Sequence, residues 1–232
     1  MALIHEKSSR GRTQTGWLDS FHTFSFGGFN DPARVGHRSL RVINEDRVIP
    51  GAGFGEHSHA DMEIITYVIS GALAHRDSLG NGSTIHVGDV QRMSAGTGIT
   101  HSEMNASDTE PVHFLQIWIL PDRDGVEPSY EQKAIDTAKA TNRFHVIAGA
   151  GGGMDAVHLH RNVSVLLARM DDGVTATHEF APGRAGFLQI VNGMVTVDGE
   201  TLSAGDGLQF TGRDICTVGA MTNCEALLFD LD

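Results

Sequence analysis

The sequence predicts an all-β barrel or sandwich built twice along one chain. Three observations carry this: short β-prone runs broken by glycine recur through the 232 residues, helical periodicity is almost absent, and the two halves repeat one strand-and-turn pattern. The runs are SLRVIN, EIITYVISG, STIHVGD and FLQIWIL in the first half, then SVLLARM, GFLQIVNGMVTVDG and LLFDL in the second. TYVISGALAHRDS followed by STIHVGDVQRM matches LQIVNGMVTVDGE followed by TLSAGDGLQF as strand, Gly turn, strand, Gly-Asp turn, strand.

Composition sets the class. With 40% apolar and 20% charged residues the chain can bury one large core or two modest ones. A formal net charge of −12, with only a short basic cluster around Arg10 and Arg12, argues against a phosphate-binding surface and direct nucleic-acid contact. No apolar run is long enough to span a bilayer, so no membrane partner is expected. MALIHEKSSRGR lacks the features of a secretory signal, and the expected location is cytoplasmic. Cys216 and Cys224, without CxxC spacing, read as buried free thiols.

Taken in order, the elements place a candidate metal centre in the first half. His22 in SFHTFSF, with Phe24 and Phe26 after it, reads as docking an N-terminal strand. His57 and His59 in GEHSHADMEIITYVISG stand two apart ahead of a strand, where extended backbone turns both rings to one side. AGTGITHSEMN repeats the arrangement with His101 and Glu103, after glycines that allow a tight turn. Two adjacent strands of this kind would surround one cation with imidazole nitrogens and a carboxylate oxygen, a donor set suited to Fe(II), Mn, Ni, Co, Cu(II) or Zn. Glu63, four residues after His59, competes with Glu103 as the carboxylate ligand, and spacing does not separate them. His75, His86, His113 and His145 read as packed or surface residues. SYEQKAIDTAKAT, Ser129 to Thr141, has helix-forming composition and reads as a short helical connector. GAGGGM, from Gly149 to Met154, reads as a turn. His158 and His160 have ligand spacing, but no His-x-Glu follows them, and HEFAPGRAGF offers only His178, so the second half is expected to bind no metal.

Gly51, His57, His59, Glu63 and Gly71, followed by Gly88-Asp89 and His101, resemble the two motifs of the cupin superfamily. WLDSFHTFSF, HSHADMEIITYVISG, MSAGTGITHSE and PSYEQK resemble the pirin family, in its bacterial quercetin 2,3-dioxygenase branch. The likeness covers the first half closely and the second by its strand rhythm. It implies a bicupin of two double-stranded β-helix (jelly-roll) barrels: residues 1–128 as the metal-binding domain, 129–145 as connector and 146–232 as a cupin-like domain without a metal site. It also implies one metal ion, iron as Fe(II), held by His57, His59, His101 and Glu103, with Glu63 orienting a ligand histidine by hydrogen bonding.

Three neutral histidines, one carboxylate and a divalent cation sum to one net positive charge, and an octahedral ion with those ligands keeps two positions open. An ionised hydroxyl would neutralise such a site. By resemblance the activity is opening of a flavonol-like ring by dioxygen with release of carbon monoxide, Glu103 or a nearby carboxylate taking the hydroxyl proton. The alternative within the family is a metal-dependent regulatory partner protein without turnover. A zinc hydrolase fits less well, because no helix motif supplies its general base.

Overall fold

The computed structural model describes residues 2–232. After β1 (Ala2–His5), the first barrel uses β2 (Gly11–Gln14), β3 (Leu18–His22), β4 (Leu40–Val48), β5 (Gly53–His59), β6 (Glu63–Ser70), β7 (Ala72–Asp77), β8 (Gly82–His86), β9 (Asp89–Ser94), β10 (Ile99–Asn105), β11 (Val112–Ile119) and β12 (Ser129–Ala134). The second uses β13 (His145–Gly149), β14 (Val157–His158), β15 (Ser164–Met170), β16 (Thr175–Glu179), β17 (Ala185–Asn192), β18 (Met194–Val197), β19 (Glu200–Ser203), β20 (Gly207–Thr211), β21 (Ile215–Ala220) and β22 (Cys224–Leu231). Each barrel closes a seven-stranded sheet over a four-stranded one: β12-β9-β6-β11-β4-β3-β2 over β5-β10-β7-β8, then β1-β20-β17-β22-β15-β13-β14 over β16-β21-β18-β19.

The repeat seen in the sequence is a repeat of backbone conformation. Gly71 and Gly193 both turn at φ +77°, and a Cβ at either would lie within 2.7 Å of a backbone oxygen. Gly88 and Gly205 turn at +92° and +91°, and the aspartate after each caps its own turn: Asp89 accepts from the His86 N–H at 2.9 Å and Asp206 from the Ser203 N–H at 2.8 Å.

Strand alternation decides what each face of the first large sheet meets. Ile43, Ile65, Tyr67, Leu115 and Ile117 point out of the barrel and join Val165, Leu167, Phe187, Leu227 and Phe229 of the second large sheet in one apolar cluster. Asn44, Thr66 and Gln116, the residues between them, are also buried and therefore face into the first barrel. In the second barrel the intervening Leu166, Leu188, Ala226 and Leu228 fill a largely apolar interior, with Asp230 buried at its end against His178 and Arg184. One barrel is thus packed solid and the other is left polar at its centre.

Two segments cross the expected division of the chain. Ala2–His5 pairs with Gly207–Thr211 of the second barrel, where Ile4 packs against the interior cluster and His5 is buried. Ser129–Ala134 pairs with Asp89–Ser94 of the first barrel, which corrects the helical connector expected over Ser129–Thr141. The free edge of β9 offers a ladder, and the segment's alternation suits it: Tyr130 and Gln132 bond inward, Gln132 to Asp89 at 2.9 Å, while Glu131 and Lys133 pair outside. Tertiary pairing overrides helix propensity here. Helical geometry survives only as a 3-10 turn over Thr137–Ala140, capped by Asp136.

Removing residues 1–9 should leave the edge of β20 bare. We expect amide exchange over Gly207–Thr211 to accelerate while β10 keeps its protection, each lost ladder bond costing about 1 kcal/mol.

Candidate metal centre

Strands β5 and β10 pair antiparallel with His57 directly opposite His101, and a register shift follows between His101 and Glu103. Parity puts His59 with His57, and Glu103 with His101, on the one inward face of this sheet. Ligand atoms of His57, His59 and His101 lie within 4.8 Å of one another, and Nε2 of His101 is 3.1 Å from Nε2 of His57. Two nitrogens each ~2.1 Å from a shared ion at a right angle would be ~3 Å apart. Glu103 lies deeper, its carboxylate grouped within 4.8 Å of donors on His101 and His75.

Local bonds prepare these groups for a cation. His57 donates its Nδ1–H to the Gly55 carbonyl at 2.8 Å, which leaves Nε2 bare. Burial, reinforced by the neighbouring imidazoles, pushes His101 down to about 3 and His59 down to about 4, so both rings are neutral at ordinary pH. Glu103 is fully enclosed; burial pushes its carboxyl up to about 7 against the opposing hydrogen bonds of Gln116 and Thr66. Gln116 Nε2 donates to its Oε2 at 2.7 Å, and the Thr66 hydroxyl lies 3.4 Å from its Oε1. Neutral imidazoles facing one another beside a buried carboxylate with no Lys or Arg acting on it fit a divalent transition metal.

Glu63 does not orient a ligand histidine. Asp61 sits at φ +50° between β5 and β6 and resets the strand parity, so Glu63 falls on the outward face with Ile65 and Tyr67. There its buried carboxylate accepts from Ser94 Oγ at 3.0 Å and pairs with His160 Nδ1 at 3.2 Å, tying the barrels together. His160 and His158 therefore belong to the junction, where the His158 carbonyl accepts from Arg92 at 2.8 Å. His75, read as packed, is buried and bonded to Asp77 at 3.1 Å, and it also stands in the donor group with His101 and Glu103. The signal for it was its position opposite Glu103 on the paired strand β7. His113 and His145 pair with Glu45 and Asp155, and His178 with Asp230. Cys216 and Cys224 are buried and unpaired.

A cavity of about 470 Å³ opens onto His57, His59 and Glu103. Trp17, Phe26, Phe54 and Trp118 supply aromatic walls, with Trp17 edge-on to Phe54 at 5.1 Å and Phe26 edge-on to Trp118 at 5.5 Å. His22, on β3, lines the same cavity, a role its sequence context did not reveal.

The Pirin family description matches residues 5–119, and that of the quercetinase C-terminal cupin domain matches residues 146–231. A quercetin 2,3-dioxygenase of Escherichia coli K12 is 39% identical over 231 residues, covering 100% of this chain and 99% of its own. This chain belongs to the pirin family. The crystal structure of YhhW from E. coli superposes with a TM-score of 0.96 at 39% identity, over 100% of this pirin and 98% of that chain. The same bacterial pirin in complex with nickel(II) superposes at 0.94, again at 39% identity, over 100% and 99% of the two chains.

Two predictions concern the donors. Glu103→Ala or His101→Ala should lower bound metal by more than tenfold, an effect of about 1.4 kcal/mol or more. Glu63→Ala should keep the metal and lower the melting temperature, because it empties the Glu63–His160 tie; elemental analysis and calorimetry read both. The pH dependence follows from Glu103. A cation must displace the proton that the carboxyl keeps below about 7, whereas His59 and His101 carry none to displace. Metal affinity should therefore rise about tenfold per unit between about pH 5 and pH 7 and then level, with a proton released per ion in calorimetry at about pH 6.

Proposed function

We propose that this pirin is a metal-dependent dioxygenase that opens the ring of a flavonol-like substrate and releases carbon monoxide. The observation that carries the reading is the aromatic cavity of about 470 Å³ over the histidine cluster. Its volume falls in the range of small-molecule sites, and the walls suit a flat aromatic body. A sealed cluster would favour a regulatory partner protein; an accessible one favours turnover.

In this reading His57, His59, His101 and Glu103 hold one divalent transition metal, iron by resemblance, with nickel supported by the E. coli relative. The ion supplies Lewis acidity, lowering the pKa of a hydroxyl placed on it and fixing the substrate against dioxygen. The chain's own residues do the rest. Gly55 fixes the tautomer of His57, and Gln116 and Thr66 restrain the Glu103 carboxylate. Trp17, Phe26, Phe54 and Trp118 exclude water from the ring to be opened.

We assign residues 11–134 to the metal-binding unit, 135–144 to the connector, and 145–232 with the added strand Ala2–His5 to a cupin-like unit without a metal. A cytoplasmic setting accords with the free thiols of Cys216 and Cys224. Among the described residues no helix is long and apolar enough to cross a membrane.

Loading with Fe(II), Mn, Ni, Co or Cu(II) under anaerobic conditions, followed by quercetin and oxygen, should yield carbon monoxide and substrate loss with at least one metal. Bound metal with neither product with any of them would leave the regulatory reading standing.

A further inference from the structure

Asp46 stands on β4 two residues beyond Asn44, turned into the first barrel, and it lines the same cavity as His57, His59 and Glu103. It is 3% exposed, and its Oδ1 has no hydrogen-bond partner. The Ser20 hydroxyl is within hydrogen-bonding reach of the carboxylate, and no Lys or Arg acts on it. A carboxylate so placed is costly to the fold, and packing alone would be served better by an uncharged side chain. Burial, with Glu103 and Glu45 adding to it, pushes its carboxyl up to about 7, where a base at neutral pH is most effective.

Its polar neighbours are satisfied by each other. His22 Nδ1 is 2.8 Å from Asn44 Oδ1, and His22 Nε2 is 2.8 Å from Thr13 Oγ1. Gln116 Nε2 donates to Glu103 Oε2 at 2.7 Å, and the Thr66 hydroxyl stands 3.0 Å from Gln116 Oε1 and 3.4 Å from Glu103 Oε1. Among these groups Asp46 Oδ1 is the acceptor without a hydrogen-bond partner.

We propose that Asp46, rather than Glu103, is the catalytic base of this centre, and that its carboxylate takes the proton of an acidic enol or phenol hydroxyl on a planar ligand in the cavity. The inference rests on the dioxygenase reading. The substrate O–H bond breaks as an O–H bond forms on Asp46, and no electrons change hands in that step. Dioxygen then opens the ring with loss of carbon monoxide, the ring-opened product leaves as a carboxylate, and Asp46 gives its proton to solvent.

The test compares the intact, metal-loaded protein with Asp46→Asn, which keeps shape and removes the base. Quercetin bound without oxygen at about pH 7 should show the long-wavelength band of the ionised flavonol in the wild type and the neutral spectrum in the variant. With oxygen, the variant's kcat should fall about 10²-fold with KM little changed. Metal content and melting temperature should match the wild type. An ionised band and kcat equal to wild type in Asp46→Asn overturn the proposal. Unfolding or metal loss in that variant overturns it as well, by showing a structural role. A wild type that neither ionises quercetin nor releases carbon monoxide sinks the dioxygenase reading and this inference together; a wild type that does both, matched by the variant, sinks the inference alone.

Discussion

The apolar layer between the two seven-stranded sheets is the constraint on which the rest depends. Strands in most small barrels turn their apolar side chains inward. The central strands of the first large sheet do the reverse over their middle: Ile43, Ile65, Tyr67, Leu115 and Ile117 go outward to the second barrel. That leaves Asn44, Asp46, Thr66 and Gln116 for the interior. Buried polar side chains of this kind are tolerated only when they bond to one another or to a ligand. The second barrel, largely apolar on both faces of its large sheet, supplies the hydrophobic driving force that lets the first keep a polar centre. A duplicated fold with one polar-centred half thus has a physical rationale: the apolar copy is the missing wall of the core.

The electrostatics follow from the same enclosure. Burial drives His59 and His101 toward the neutral form and Glu103 and Asp46 toward the protonated form. A cation held there would reverse the balance at Glu103, because it would supply the positive partner that the surrounding protein withholds.

The clustering of His57, His59, His101 and Glu103 was legible in the sequence because strand parity is simple. His57 with His59 and His101 with Glu103 are pairs at a spacing of two, and the structure sets their strands side by side. Parity also explains the failure at Glu63, since a single left-handed residue, Asp61, separates two strands that look continuous in HSHADMEIITYVIS. The connector was misread because composition reports propensity and not the open edge of β9 waiting for Ser129–Ala134. Asp46 was hidden in the run NEDRV, where three charged residues adjoin. Glu45 turns out to Arg10 and His113 while Asp46 turns in, and only the pairing of β4 with its neighbours shows which is which.

The exchange of β1 bears on how the chain is made. Ala2 pairs with Phe210, so this segment is synthesised well before its partner. The first barrel can assemble its own strands on the ribosome, but the second cannot complete its large sheet until β20 and β22 have emerged. Closing so long a loop adds little entropy cost, which grows only as the logarithm of its length, yet it delays the final step. Once made, the pairing clasps the beginning of the chain to the last barrel, and the two halves can part only by pulling that strand free.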